Sequence, residues 1–177
     1  MGNNSIASDH YITTTYMSRS LGKSIYITGT NFSQEQIAEA MVKLNEDFES
    51  LKTNPNTEDY VRGCADIFQK FLMVHPFDDG NGRTSRTMLT VMLAQRDIFI
   101  PNLYDSYFER DPNSKFMRFG DEVAKNGNYK LFQDYLLARV QKYNPGMVQG
   151  DFSYLDSTYK ELLKQQGLRN IREEFGF

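Results

Sequence analysis

The nine residues from His75 to Arg83 read HPFDDGNGR and separate two segments whose apolar residues follow helical spacing. Pro76 has no N–H to continue a helix, and Gly80 and Gly82 allow a tight turn. The apolar positions before the run are Val61, Cys64, Ala65, Phe68, Phe71 and Leu72, and those after it are Met88, Leu89, Met92 and Leu93. The pattern therefore predicts two buried helices joined by a short polar loop.

The loop also combines side chains that suit a polyphosphate. A helix that begins after Gly-Asn-Gly presents free N–H groups and the positive end of its dipole to an anion. Arg83 and Arg86 lie three residues apart, on one side of the first turns, and guanidinium groups can bind phosphate oxygens in a bidentate manner. Asp79 would carry Mg²⁺, which takes few carboxylates and completes its shell with phosphate and water. His75 can accept a hydroxyl proton near neutral pH.

Each of these residues alone has an ordinary structural explanation. A histidine before proline is commonly a loop or core residue, and Gly-Asn-Gly is commonly only a turn. Their joint occurrence within nine residues favours a phosphate site over a turn without function.

The run resembles the signature of Fic-domain proteins, His-x-Phe-x-Asp/Glu-Gly-Asn-Gly/Lys-Arg-x-x-Arg, at every specified position. The resemblance implies AMPylation, the transfer of AMP from ATP to a Ser, Thr or Tyr hydroxyl of a target protein. It implies that His75 is the general base and that Asp79 holds Mg²⁺ against the α- and β-phosphates. The related Doc proteins, which transfer phosphate, typically carry Ala-Asn-Lys, so Gly82 favours nucleotidyl transfer.

The same resemblance assigns the remaining signature residues. Asn81 and the backbone of Gly80 and Gly82 would hold the α-phosphate, and Arg83 and Arg86 the β- and γ-phosphates. Phe77 would be a buried anchor of the loop.

The fold implied is all-α, a Fic-domain helical bundle with a small β-hairpin flap that docks the target protein as an added strand. Residues 1–145 would form this domain, with its flap near 19–29 and its catalytic loop at 75–83. The β-branched and aromatic segment 24–28 predicts the flap strand, with Ile25, Tyr26 and Ile27 as docking residues. Further helices are expected at 33–51, from Thr57, near 113–126 and at 129–143, and residues 107–110 also resemble the closing helices.

Residues 146–177 are expected to be a C-terminal helical extension with a helix at 154–166. Many Fic proteins have an inhibitory helix with the pattern Ser/Thr-x-x-x-Glu-Gly/Asn, whose glutamate pairs with the second signature arginine. Ser157 and Glu161 fit two positions, but Leu162 replaces Gly or Asn. The resemblance thus suggests autoinhibition through Glu161 and Arg86, and the alternative is an ordinary exposed glutamate.

Composition narrows the remaining function classes. A net charge of −3 provides no basic surface for nucleic acid, and no apolar run is long enough for a membrane span. A protein of the bacterial cytoplasm, or one delivered into a host cell, is expected, and a homo-oligomer stays open. Three alternatives to AMPylation also stay open: another nucleotide donor, removal of AMP, and a non-catalytic nucleotide-binding module.

Overall fold

The structure is a computed structural model that describes residues 32–77, 79–107 and 111–166, and residues 14–17 and 24–27 by their backbone. Six helices occupy these ranges: α1 Gln34–Lys52, α2 Thr57–Val74, α3 Asn81–Ala94, α4 Lys115–Asn126, α5 Tyr129–Tyr143 and α6 Tyr154–Gln166. Two strands precede them, β1 Thr14–Met17 and β2 Ser24–Ile27. The prediction of a helical bundle is confirmed for the described part of the chain.

The two strands pair antiparallel, with Thr14 opposite Ile27 and Tyr16 opposite Ile25. The sequence predicted a strand at 24–28, and the structure has β2 at Ser24–Ile27. Its partner β1 begins earlier than the flap predicted near 19–29, and the connection at 18–23 lies outside the described residues. The docking role of this pair of strands stays a prediction.

Local capping fixes where the first two helices begin. Ser33 and Gln36 form a capping box at α1, in which the Gln36 amide donates to Ser33 Oγ at 3.3 Å and the Ser33 amide donates to Gln36 Oε1 at 2.9 Å. At α2, the Asp59 amide donates to Asn56 Oδ1 at 3.0 Å. These bonds satisfy amides that a helix N-terminus leaves without partners, and they confirm both predicted starts.

The second helix is the centre of the bundle because it packs against α1, α3, α4 and α5. Its predicted apolar stripe is buried apart from the partly buried Leu72, and Phe68 stacks on Phe132 of α5 with ring centroids 5.5 Å apart. Cys64 is completely buried, and burial raises the pKa of its thiol to about 12. Cys64 is therefore a core residue, as predicted, and not a nucleophile.

The last described helix packs on α4 and α5. Leu155 and Leu162 are its buried apolar contacts, and Lys115 Nζ of α4 lies 2.6 Å from Asp156 Oδ1. The helix predicted at 154–166 is confirmed over Tyr154–Gln166, where it forms part of the helical body. The rest of the predicted extension, residues 167–177, lies outside the described residues.

The prediction that residues 107–110 are helical is wrong at Tyr107, the one residue of the four that the structure describes. Tyr107 lies in an irregular segment after α3 and is fully exposed, whereas residues 108–110 lie outside the described residues. Residues 100–103, which come before Tyr107, include Pro101, and proline lacks the N–H that a helix needs. In the part of the chain that the structure describes, no helix has the length and apolar character needed to cross a membrane.

Candidate active site

His75 ends α2 in a left-handed backbone conformation. Its φ and ψ angles are 50° and 57°, and its N–H donates to the Phe71 carbonyl oxygen at 3.0 Å. Pro76 cannot continue the helix, so the chain turns away at the expected position. The imidazole is partly buried, with Nδ1 3.4 Å from the Leu72 carbonyl oxygen. The proposed base is thus carried by the last turn of the central helix.

A side chain of α3 closes the loop that follows. Asn81 Oδ1 accepts from the Phe77 N–H at 3.0 Å, and Asn81 Nδ2 donates to the Phe77 carbonyl oxygen at 2.5 Å. Asn81 is only 2% exposed, so water competes little for these bonds. The carboxamide therefore holds the loop in shape, a use that the sequence reasoning did not identify.

The predicted burial of Phe77 is wrong. Its side chain is 47% exposed, and its ring contacts Phe71 at a centroid distance of 6.1 Å and a tilt of 58°. The backbone of Phe77 is anchored by Asn81, so a buried ring is not required to hold the loop.

Gly80 and Gly82 are required by the geometry of the loop for different reasons. Gly80 has φ +87°, a conformation that a residue with Cβ adopts only with strain. It precedes α3 and makes no side-chain cap, so the first amides of α3 depend on other acceptors, as an anion-binding helix start requires. At Gly82, a Cβ would lie 3.2 Å from Arg86 Nη1, so the missing side chain makes room for that guanidinium.

The predicted metal ligand and the first arginine form an exposed ion pair. Arg83 Nη2 lies 3.1 Å from Asp79 Oδ2, and the two side chains are 65% and 91% exposed. Such a pair contributes little to stability, so both groups can change partners at low cost. Within the described residues, no group of three or more His, Cys, Asp and Glu side chains could hold a metal ion. A lone carboxylate beside the predicted phosphate site would suit Mg²⁺, which takes its other ligands from phosphate and water.

Arg86 is partly buried and lies over an aromatic ring. Its guanidinium carbon is 5.8 Å from the centre of the Tyr104 ring, which belongs to the segment between α3 and α4. A pocket of about 750 Å³ lies between this segment and α3. Its polar lining residues are Arg83, Arg86, Thr87, Thr90, Asn102 and Ser106. The two arginines therefore line one open pocket.

The segment that carries Tyr104 is fixed to α5. Arg139 Nη1 lies 2.5 Å from Asp105 Oδ1, and Arg139 also donates to the Asn102 carbonyl oxygen. The Tyr135 hydroxyl donates to the Leu103 carbonyl oxygen. Arg139 is 4% exposed, so its bonds are shielded from water. They fix residues 100–107, called the wall segment below, which form the non-helical side of the pocket. Sequence reasoning missed Tyr104 and this anchor, and no local motif marks them, because both depend on contacts between distant parts of the chain.

The predicted contact between Glu161 and Arg86 is not present among the described residues. Glu161 is exposed on α6, and its Oε1 lies 2.7 Å from Lys164 Nζ. The buried side of α6 is formed by Leu155 and Leu162 instead. The expected inhibitory arrangement is corrected by this geometry, because the glutamate lies on the solvent side of its helix.

The structure brings His75, Asp79, Gly80, Asn81, Gly82, Arg83 and Arg86 together in the α2–α3 loop and the first turns of α3. It does not bring Glu161 to them. Ile25, Tyr26 and Ile27 lie in β2, of which only the backbone position is described.

A sequence model described as the Fic/DOC family matches residues 9–93, a stretch that contains the loop, α1, α2 and nearly all of α3. No curated protein and no solved structure matches the chain. The matched stretch includes every residue of the signature, from His75 to Arg86. Residues 9–93, which include the whole candidate site, are therefore similar to the Fic/DOC family.

Proposed function

We propose that the chain transfers AMP from Mg-ATP to a hydroxyl group of a target protein. The observation that carries this proposal is that one loop presents His75 at the end of α2 and leads directly into α3, whose first turns carry both arginines. A base, an anion-binding helix start and two cations then lie along the path of a bound triphosphate.

In the proposed reaction, the target hydroxyl oxygen attacks the α-phosphorus of ATP. His75 accepts the hydroxyl proton, a new oxygen–phosphorus bond forms, and the bond from the α-phosphorus to the bridging oxygen breaks. The electron pair leaves with pyrophosphate, so the products are the AMP-modified target and pyrophosphate. Donors fixed in place stabilise the charge that develops in the transition state, which is the largest part of such catalysis.

The phosphates would be held along α3. The amides that follow Gly80 would bind the α-phosphate, and Arg83 and Arg86 the phosphates that leave. Asp79 would hold Mg²⁺, which supplies charge neutralisation on the phosphate oxygens. Arg83 then exchanges its bond with Asp79 for a bond with phosphate, which the exposure of both side chains permits.

A target would dock as an extended segment on the β2 strand, where main-chain hydrogen bonds provide affinity with little dependence on sequence. Ile25, Tyr26 and Ile27 are proposed as the residues along which the target hydroxyl is brought towards His75.

The test uses the purified chain, Mg²⁺, a cell lysate and ATP labelled at either the α- or the γ-phosphate. We expect protein labelling from the α position only, and loss of labelling in His75→Asn. Asparagine, like histidine, is enriched in the left-handed backbone conformation of His75, whereas alanine is not and could confuse loss of the base with loss of folding.

Lys43→Ala is the control, since Lys43 lies exposed on α1. Labelling from the γ position would replace the proposal with phosphate transfer. Labelling that survives His75→Asn would remove His75 from the role of base.

A further inference from the structure

We propose that Tyr104 is a positioning residue, which holds the Arg86 guanidinium in the orientation that binds the phosphates leaving with pyrophosphate. This inference rests on the proposed function, because it assigns Arg86 to those phosphates. Tyr104 lies beyond the residues that the family model matches, in the irregular segment between α3 and α4.

The guanidinium is bounded on two sides. One side is the first turn of α3, where Arg86 Nη1 lies against the Gly82 backbone, so close that a Cβ added there would be 3.2 Å away. The other is the Tyr104 ring, whose centre lies 5.8 Å from the guanidinium carbon, within the range of a cation–π contact. The Arg86 guanidinium is therefore restricted, although the Arg86 backbone lies on the surface of α3.

The ring is rigid enough to restrict its partner. Tyr104 is 4% exposed and packs on Phe116 of α4 with ring centroids 4.8 Å apart. Its N–H donates to Asn102 Oδ1 at 2.9 Å. The buried Arg139 holds the same segment through Asp105 and the Asn102 carbonyl oxygen. The position of Arg86 is thus connected, through the wall segment, to the core of α5.

An aromatic partner suits this task better than a carboxylate. Arg83 is paired with Asp79, whereas Arg86 makes no ion pair with any residue that the structure describes. A carboxylate would compete with phosphate for the guanidinium, but a ring face orients the cation and leaves its N–H donors and its charge available. Restricting the side chain before binding also lowers the entropy cost of binding.

The test is the equilibrium binding of ATP and of AMP, each with Mg²⁺, to four variants of the full chain. We expect Tyr104→Leu to weaken ATP binding about fivefold, the effect of losing one cation–π contact, and to leave AMP binding unchanged. Tyr104→Phe keeps the ring and should bind ATP like the wild type. Adding Tyr104→Leu to Arg86→Ala should cause no further loss, because the two residues act through one interaction.

Equal weakening of ATP and AMP, or additive losses in the double variant, would overturn the proposal. If Tyr104→Leu does not fold, ¹⁵N relaxation of Arg86 Nε in the wild type decides the question. An order parameter near the rigid value of about 0.85 supports positioning, and one below about 0.6 overturns it. Failure of the proposed function is a separate result, because ATP binding that depends on Tyr104 without α-label transfer removes the transferase activity and not the contact.

Discussion

Asn81 bonds both main-chain groups of Phe77, so the first residue of α3 closes the loop that leads into it. This one carboxamide holds the loop between the proposed base and the proposed phosphate site. Without this carboxamide, the Phe77 N–H and carbonyl oxygen would lose their hydrogen-bond partner, which is itself nearly buried.

We therefore expect Asn81→Ala to lower the free energy of unfolding by about 1–3 kcal/mol and to remove most of the transfer activity. Asn81→Asp is the matched comparison, because it keeps the acceptor for the Phe77 N–H and loses the donor to the Phe77 oxygen. Its stability should be no higher than that of Asn81→Ala, because a nearly buried carboxylate oxygen would face the Phe77 carbonyl oxygen. Its activity should be low because a carboxylate repels phosphate. Denaturant unfolding and label transfer measure both, and unchanged stability of Asn81→Ala would contradict the role given to the carboxamide.

Substitution of Asp79 should change the Mg²⁺ dependence of label transfer and leave the stability of the fold nearly unchanged. Asp79→Asn removes a carboxylate that is 91% exposed, so the free energy of unfolding should change by less than about 1 kcal/mol. The Mg²⁺ concentration needed for half-maximal transfer should rise, because the metal loses its protein ligand. Asp97→Asn is the control, since Asp97 is also exposed and its positive φ of 56° is tolerated by asparagine. A Mg²⁺ titration that is identical in Asp79→Asn and the wild type would exclude Asp79 as the ligand.

A third prediction concerns the buried Asp134 of α5, which joins three helices. Arg62 Nη1 of α2 lies 2.6 Å from Asp134 Oδ1, and Lys130 and the Tyr154 hydroxyl donate to Oδ2. Burial alone would raise the pKa of Asp134, but the hydrogen bonds from Lys130, Tyr154 and Arg62 outweigh it and lower that pKa below its usual range.

A carboxylate with a lowered pKa stabilises the fold above its unfolded pKa of about 3.9, and this contribution disappears as the pH falls through the folded pKa. We expect Asp134→Asn to be less stable than the wild type by about 2 kcal/mol at pH 7, with the difference shrinking at acidic pH. Urea unfolding of both proteins across this pH range is the measurement. A difference that stays constant with pH would show that the carboxylate charge is not the stabilising element.

The position of Glu161 predicts that α6 does not inhibit the site through this residue. Because Glu161 is exposed and paired with Lys164, Glu161→Ala should leave the rate of label transfer unchanged. Alanine is preferred to glycine, which would weaken the helix by about 1 kcal/mol. A rise in transfer would instead show that Glu161 inhibits the proposed reaction.

The sequence predicted those features that local chemistry determines. Ser33 and Gln36 mark the start of α1, the apolar stripe of α2 gives its buried side, and Pro76 places the end of that helix. The loop residues could be proposed as a phosphate site for the same reason, since two glycines, two arginines and a base lie within twelve residues. Each of these inferences uses residues within a few positions of one another.

What the sequence could not give depends on contacts between distant residues. The ring of Phe77 is exposed because Asn81 fixes the loop backbone. The spacing of residues in the sequence does not predict that orientation. The stacking of Arg86 on Tyr104 requires the wall segment to return to α3, which the Arg139–Asp105 bond of α5 ensures. The exposed position of Glu161 likewise depends on which side of α6 meets the bundle.

The anchoring of the wall by Arg139 also affects where the chain can be shortened. The family match ends at residue 93, but α5 covers part of the central helix and supplies the buried guanidinium that holds the second side of the pocket. A fragment cut at that residue would keep every signature side chain and lose both the wall and the packing partners of Phe68. The smallest piece worth expressing for biochemical work therefore extends at least through α5.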